Sequence, residues 1–489
     1  MSSIRKNFIL NTMFQVLRLL TPLVVTPYVS RVLGAAGIGT FSYTYSIEYY
    51  FSMFAVLGTT AYGAREIARL RDDPEAMSHL FWEIWLMALT TSTISILGWG
   101  IVVLNGGTHQ LYYSILTFYL LGAMFDISWF YTGLERFTVI VLRNILLKLV
   151  EIALVFLLVK KVEHLYLYFL IMAGGTFLGN ASLWIGMGKN LKKINWKTLH
   201  PFRHFKNMMV YFLPTIATSI YSVFGKTLIG AITKSEVENG FYEQATKIID
   251  IVKAIAIVSL NTVLGPRNSY LHKQGRLKQI RTNLHTSLDF ILLMSIGAVC
   301  GIAGVADLFV PWFFGEGYDA VANLLRAMSP MLVIIAVSYT IGSQYYEPVG
   351  LRLKSARYLM VGAGCSIVLN IILIPFLQSL GAAIGFLIAE FVIATLYLIN
   401  CDGYMTLKDL LRMSWKKLVA GGVMMVVVLW LSTFMRPVTL HIIAVVLIGV
   451  AVYGVCLLVL RDEILLSALK MAFAKGKKLL QRENKEEQQ

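Results

Sequence analysis

Charge is what this sequence has least of. Only 14% of its 489 residues are Asp, Glu, Lys or Arg, while 57% are apolar. A soluble domain carries about a quarter charged residues. So few charges cannot cover a water-soluble body of this size, which excludes a soluble enzyme, a disordered chain and a fibrous one. Cysteine is scarce as well. Cys300, Cys365, Cys401 and Cys456 lie far apart in or beside apolar runs, so there is no disulfide framework and no CxxC metal spacing. No G-x-x-x-x-G-K-[ST], H-E-x-x-H or G-x-S-x-G run occurs, and the eight histidines are scattered. No loop exceeds roughly 20 residues by the reading below, which leaves no room for a nucleotide-hydrolysing domain. The chain reads as a non-enzyme that needs no cofactor.

What the chain has is long apolar runs. A membrane-crossing helix needs roughly 20 predominantly apolar residues. About fourteen runs qualify, near 8–33, 38–63, 80–104, 111–134, 139–160, 164–188, 208–233, 239–264, 285–311, 326–346, 358–378, 380–400, 416–435 and 438–460. The first is too long for a signal-peptide core and is followed by many more. The fold expected is therefore an all-α integral membrane protein.

The net charge of +16 is explained by its placement. With the N-terminus inside, about 31 Lys and Arg fall in cytoplasmic segments, about 6 in outer ones and about 6 within spans, as insertion energetics favour. The densest inner loops are 189–207 and 265–284. The basic tail 461–489 reads as a helix resting on anionic lipid. Nucleic acid is not the expected partner.

Two stretches look alike, Leu17–Ile47 and Val210–Ile249, about 190 residues apart. Each holds a proline expected to break a helix early, Pro22 or Pro214. A short turn follows, then Gly-aromatic-x-x-(Ala/Thr)-x-x-Ile opens the next span. Irregular backbone of this kind is tolerated where it faces protein or water. Six spans separate the pair, so the chain divides into two pseudo-symmetric six-helix lobes plus two C-terminal helices. The expected boundaries are 1–188, a linker at 189–207, 208–400, 401–460 and the tail 461–489.

Ionisable groups at membrane depth are costly and usually face a cavity or a partner. By helical rise, Arg18, Glu48 and Glu390 sit nearest the midplane. Asn11, Gln15 and Arg18 share one face of the first span. Glu243, Lys247, Asp250 and Lys253 form one stripe, Lys148 and Glu151 stand a turn apart, and Arg143, Asp126 and Lys226 complete the set. Six cations face six anions. Each pair also fits an internal bridge that only orders the bundle, and Arg143 and Lys226 also fit a snorkelling role. The expected anion-binding residues are Arg18, Lys148, Lys226, Lys247 and Lys253. The expected ion-coupling carboxylates are Glu390 first, Glu48 second and Asp250 third, because desolvation suits a carboxylate without a close cation to proton exchange.

The run Pro27-Tyr-Val-Ser-Arg-Val-Leu-Gly-Ala-Ala-Gly-Ile-Gly39 resembles the start of the polysaccharide transporter branch of the multidrug/oligosaccharidyl-lipid/polysaccharide exporter superfamily, the Wzx-type flippases. Ala64-Arg-Glu-Ile-Ala-Arg-Leu-Arg-Asp-Asp73 is similar too, as are Asn370-Ile-Ile-Leu-Ile-Pro375, Leu380-Gly-Ala-Ala-Ile384 and Ala389-Glu390. The resemblance implies a fold like that of the MATE and MurJ carriers. It implies movement of undecaprenyl-pyrophosphate-linked oligosaccharide repeat units across the bacterial cytoplasmic membrane, ahead of O-antigen or capsule assembly. Alternating access between the lobes, H+ or Na+ coupling, contact with membrane lipids and work beside a polysaccharide polymerase and other assembly proteins are also implied. A pyrophosphate needs Arg or Lys in a low-dielectric site. Tyr43, Tyr45, Tyr49, Tyr50 and Phe51 suit either sugar stacking or packing. A cation-coupled drug or lipid exporter of the same superfamily is the alternative. A membrane polymerase would need a sizeable basic outer loop, and the longest outer loop, 312–325, is short and not basic.

Both termini should be cytoplasmic. Cysteine labelling should find 189–207 and 265–284 inside and 105–110 and 312–325 outside. Outside labelling of either basic loop would overturn the span assignment.

Overall fold

A computed structural model describes residues 2–467 and 470. The side chains of 2–11, 189–190, 213–215 and 217–222 lie outside the described set. The side chains of Asn11 and Pro214, and most of the tail 461–489, are therefore not placed. The described residues are mainly helical, with no strand among them. This is what a bilayer demands, since a helix pairs its own backbone groups where no water can.

The helices run in order α1 (Ser2–Val56), α2 (Thr59–Leu70), α3 (Pro74–Leu104), α4 (Gln110–Met124), α5 (Ser128–Gly133), α6 (Phe137–Leu158), α7 (Leu165–Ser182), α8 (Phe205–Thr233), α9 (Glu236–Lys253), α10 (Ser259–Lys273), α11 (Leu277–Phe314), α12 (Asp319–Met328), α13 (Met331–Ile341), α14 (Arg352–Ile399), α15 (Leu407–Ser432) and α16 (Thr439–Val459). The expected runs lie largely on helical backbone, but 38–63 is broken at Leu57–Gly58 and 111–134 at Phe125–Ile127. Among the described residues, nine helices are long and apolar enough to span, or ten with the bent α12–α13 pair. Two of the long helices bend at a single non-helical residue. α1 bends at Gly34 (φ 67°) and α14 at Gln378 (φ 51°). Gly34 lies in the left-handed region that only glycine enters freely. Gln378 is held there by its neighbour, because the Ser379 N–H and hydroxyl both donate to Glu238 Oε2. The chain is a multi-pass membrane protein.

Pro22 does not break its helix, contrary to expectation. α1 continues through Pro22 and Pro27 as far as Gly34. Proline removes one backbone donor, and hydroxyls nearby take up carbonyls of the same stretch. Thr21 Oγ1 donates to the Leu17 carbonyl and Ser30 Oγ to the Thr26 carbonyl, each at 2.7 Å. Two π-helical turns occur instead, Ala254–Val258 and Gly342–Tyr346. The expected fourth span is likewise interrupted, at Phe125–Ile127, where Asp126 Oδ1 accepts the Ser128 N–H at 2.8 Å.

The chain forms two compact units, residues 1–243 with 370–382, and 244–369 with 383–489. In the first, one apolar cluster gathers Tyr62, Phe81, Trp129, Phe130 and Phe212 from α2, α3, α5 and α8. A second gathers Leu33, Trp99, Leu116, Val155 and Phe169 from α1, α3, α4, α6 and α7. In the second unit, α15 and α16 close on α11 through Leu308, Met424, Val428 and Val445. There Lys417, 1% exposed, holds Asp289 at 2.6 Å and Asp462 at 3.0 Å.

The tightest approach in the first unit is between the two look-alike stretches. A Cβ on Gly39 would stand 1.6 Å from the Glu236 carbonyl oxygen. A Cβ on Gly240 would stand 2.0 Å from the Ala35 carbonyl oxygen. Each glycine thus meets the carbonyl four residues before the other. Small residues allow such backbone contact between membrane helices.

Gly39→Ala and Gly240→Ala should each cut the folded yield and lower the melting midpoint by about 5 °C or more, since overpacking against backbone is costly. Gly100→Ala, with no atom within 4 Å of the added carbon, should melt like the wild type. Equal midpoints for all three would overturn the contact.

Candidate functional site

The first unit holds a charged chamber, and the half of α1 after Gly34 is its organising wall. Ser42, Ser46 and Tyr50 recur every four residues and share a face. Ser42 Oγ donates to Glu243 Oε2 on α9 at 2.9 Å, and the same carboxylate oxygen takes Lys226 Nζ of α8 at 2.6 Å. Thr227 Oγ1 donates to Ser46 Oγ at 2.9 Å and meets the Tyr50 hydroxyl at 3.2 Å. Asn239 fixes the helix pair by donating from Nδ2 to the Lys226 carbonyl at 2.7 Å.

The next face of α1 carries Tyr45, Glu48 and Ser52. Glu48 is 1% exposed and accepts the Ser52 hydroxyl. No cation pairs with it among the described residues. The Tyr45 ring lies 5.2 Å from Tyr119 of α4 and 6.3 Å from Tyr49. Tyr119 is within electrostatic reach of Glu48, Tyr168 and Glu151. On α6, Lys148 Nζ holds Glu151 Oε2 at 2.7 Å. Gly175 of α7 makes room for that carboxylate, since a Cβ there would stand 2.8 Å from Oε1. Arg143 is used structurally, donating to the Gly179 carbonyl at 2.8 Å and to Asn144.

The chamber therefore brings together Lys148, Lys226 and Glu48 of the expected site residues, with Glu151 and Glu243 as counter-charges. Two lysines face three glutamates, so neither lysine is free of a carboxylate. Arg18 is not among them. It is exposed, and no described side chain forms an ion pair with it, Glu48 included. Lys247, Asp250, Lys253 and Glu390 belong to the second unit. Asp250 pairs with Lys253 one turn on, and Lys247 is half-buried. All four residues of the expected stripe lie on α9, and Glu243 also holds Lys226 of α8. Glu390 is 7% exposed and accepts the Ser338 hydroxyl at 3.4 Å. The tyrosine run serves packing in part, since Phe41 stacks on Tyr45 at 5.7 Å and Phe51 packs edge-on to Trp99 at 5.3 Å.

Sequence reasoning missed Ser42, Tyr119 and Tyr168, which are ordinary in one dimension. It also missed Glu83, which is fully buried at the start of α3. Glu83 accepts the His200 N–H at 2.7 Å, Arg203 Nη2 at 2.5 Å and His204 Nε2 at 2.9 Å. His204 Nδ1 meets the Tyr62 hydroxyl at 2.7 Å. The available signal was an acid at the edge of a span, facing a basic loop that holds His200, Arg203 and His204.

A family model described as "Polysaccharide biosynthesis protein" matches residues 4–272. A protein of Escherichia coli (strain K12) named "Putative O-antigen transporter" is 23% identical over 407 residues, covering 81% of this chain and 96% of that protein. A protein of the same name from Shigella dysenteriae is 21% identical over 402 residues, covering 80% and 98%. The fold is similar to that of the lipid II flippase MurJ in an inward closed conformation, with a TM-score of 0.71 at 16% identity over 94% of this chain and 99% of that one. It is also similar to an inward-facing multidrug resistance MATE transporter of the MOP superfamily, with a TM-score of 0.56 at 16% identity over 81% and 94%. With more than half its length matched, the chain belongs to the polysaccharide biosynthesis protein family.

Proposed function

We propose that this protein moves undecaprenyl-pyrophosphate-linked oligosaccharide repeat units across the bacterial cytoplasmic membrane, for surface polysaccharide such as O-antigen or capsule. The family and the O-antigen transporter relatives support a lipid-linked glycan as cargo. The observation that carries the reading is the pair of lysines at membrane depth, Lys148 and Lys226, each clasped by a glutamate. A diphosphate is the anion that exchanges into such clasps, since it offers more charge and more acceptors than a carboxylate. Arg18, exposed and unclasped, meets the head group on approach, while Lys247 and Lys253 serve it in the second unit. The prenyl tail stays in lipid, the sugars follow the head group, and a polymerase takes the product outside. The lobes 1–188 and 208–400 alternate the access.

Transport draws on an H+ or Na+ gradient through a buried carboxylate. Glu48 fits this role because it is sealed from water and has no cation beside it, so its charge state alters the field around both lysines. Glu390 is the counterpart in the second unit. Asp250 is the poorer candidate, being exposed and bridged to Lys253.

The test is glycan export in cells and flux of lipid-linked oligosaccharide in vesicles. Lys226→Ala, Lys148→Ala and Arg18→Ala should each cut flux by about 30-fold or more while the protein still inserts, since losing a charged contact costs about 2–5 kcal/mol. Wild-type export by all three would overturn the site.

An imposed pH or sodium gradient should drive the wild type and not Glu48→Gln or Glu390→Gln. Wild-type flux that ignores both gradients would end the coupling proposal. Full response in both variants would show that the wrong carboxylates are named.

A further inference from the structure

The same half of α1 that carries the charged cluster also contributes to a hollow with no Lys, Arg, Asp or Glu in its lining. It is a cavity of about 460 Å³ lined by Tyr43, Ile101, Val102, Asn105, Gly106, His109 and Tyr113. That volume lies within the range of small-molecule sites, about 300–1,000 Å³. All its walls belong to the first unit.

Two of those walls are aromatic rings seated on glycines. A Cβ on Gly230 would stand 2.1 Å from the Tyr43 ring, and one on Gly106 would stand 2.7 Å from the Tyr113 ring. Tyr113 is further held by Trp99, edge-on at 5.4 Å, whose Nε1 donates to the Tyr113 carbonyl at 3.2 Å. The rings are therefore fixed platforms. No described hydrogen bond consumes either tyrosine hydroxyl. Asn105 spends Nδ2 on the Ile101 carbonyl at 2.8 Å, which leaves Oδ1 to accept. His109 turns Nε2 toward Glu236 at 3.4 Å and keeps Nδ1 in reserve.

We propose that this cavity binds a sugar ring of the transported glycan, an inference that rests on the flippase reading and gives its cargo a second point of contact. The lining decides which part of the cargo fits. No lysine or arginine lines it, so it offers nothing to a diphosphate. Four of its seven residues carry polar side chains, which is wrong for a prenyl chain. A pyranose ring needs what is present. Its C–H face lies against a fixed aromatic plane, and its hydroxyls pair with a few placed polar groups. The tyrosine hydroxyls, Asn105 Oδ1 and His109 Nδ1 supply both donors and acceptors.

The test uses the full-length protein in lipid nanodiscs. The probe is the glycan released by mild acid from the lipid-linked pool of the source cells, followed by saturation-transfer NMR. The wild type should transfer saturation to the sugar-ring protons. The Asn105→Ala/His109→Ala variant, altered at one exposed and one half-buried position, should bind at least tenfold more weakly. Tyr43→Leu, which removes one platform, should bind more weakly still. No transfer with the wild type, or equal transfer in all three proteins, overturns the sugar site. Export of the same lipid-linked glycan is measured in parallel. Export without glycan binding overturns the site and leaves the flippase reading standing. Binding without export upholds the sugar site and overturns the flippase reading.

Discussion

One close approach underlies the first unit. Gly39 and Gly240 let α1 and α9 touch backbone to backbone, each glycine against the carbonyl four residues before the other. Nothing larger than hydrogen fits on either side. The contact is reciprocal, and it falls where the sequence repeats itself. It also sets the register of what lies beyond. Three residues on from each glycine stand Ser42 and Glu243, which bond at 2.9 Å. The polar chamber is therefore a consequence of the crossing. Were the helices a methyl group further apart, Ser42 could not reach the carboxylate that holds Lys226.

The chamber combines two kinds of ion pair with different costs. Lys148 and Glu151 share one helix, so their bridge forms as soon as α6 does. Lys226 and Glu243 come from different helices, so their bridge forms only on packing. Buried pairs gain little net stability because desolvation offsets the attraction, but losing one partner is expensive. Such pairs suit a carrier. They keep charge ready at membrane depth without leaving it bare. Glu48 is the exception, since among the described residues it accepts the Ser52 hydroxyl and pairs with no cation.

The all-helical membrane fold was legible because a bilayer imposes a length and a composition on every crossing helix, whereas nine or ten of the described helices, not fourteen, meet that test. The break at Gly34 lies in the run that carries the family resemblance, and its left-handed backbone explains why glycine stands there. Pro22 misled, because a neighbouring hydroxyl can serve a carbonyl near the missing donor, and a one-dimensional pattern does not show which carbonyls are served. Depth picked out Lys148, Lys226 and Glu48 as charges of interest, since helical rise is nearly constant. It could not show which charges pair. Lys226 and Glu243 meet only through the packing of two helices, which periodicity along one helix does not show. Glu83 was passed over because its partners come from a loop more than 110 residues away.

The binding of the basic segment to Glu83 has a consequence for how the protein sits in its bilayer. Residues 196–204 are clamped against α3 by Glu83 and by Trp196, whose ring lies 4.9 Å from Trp82. Trp82, Trp85 and Trp184 pack into the same aromatic group. Tryptophans and nearby lysines prefer the head-group layer. Because Lys192 and Lys193 precede the clamped stretch and Lys197 lies within it, they mark a fixed height on the first unit and do not trail from it. This end of the bundle is thereby moored at one depth. Any difference between protein length and membrane thickness is taken up at the opposite leaflet, by tilt or local thinning there.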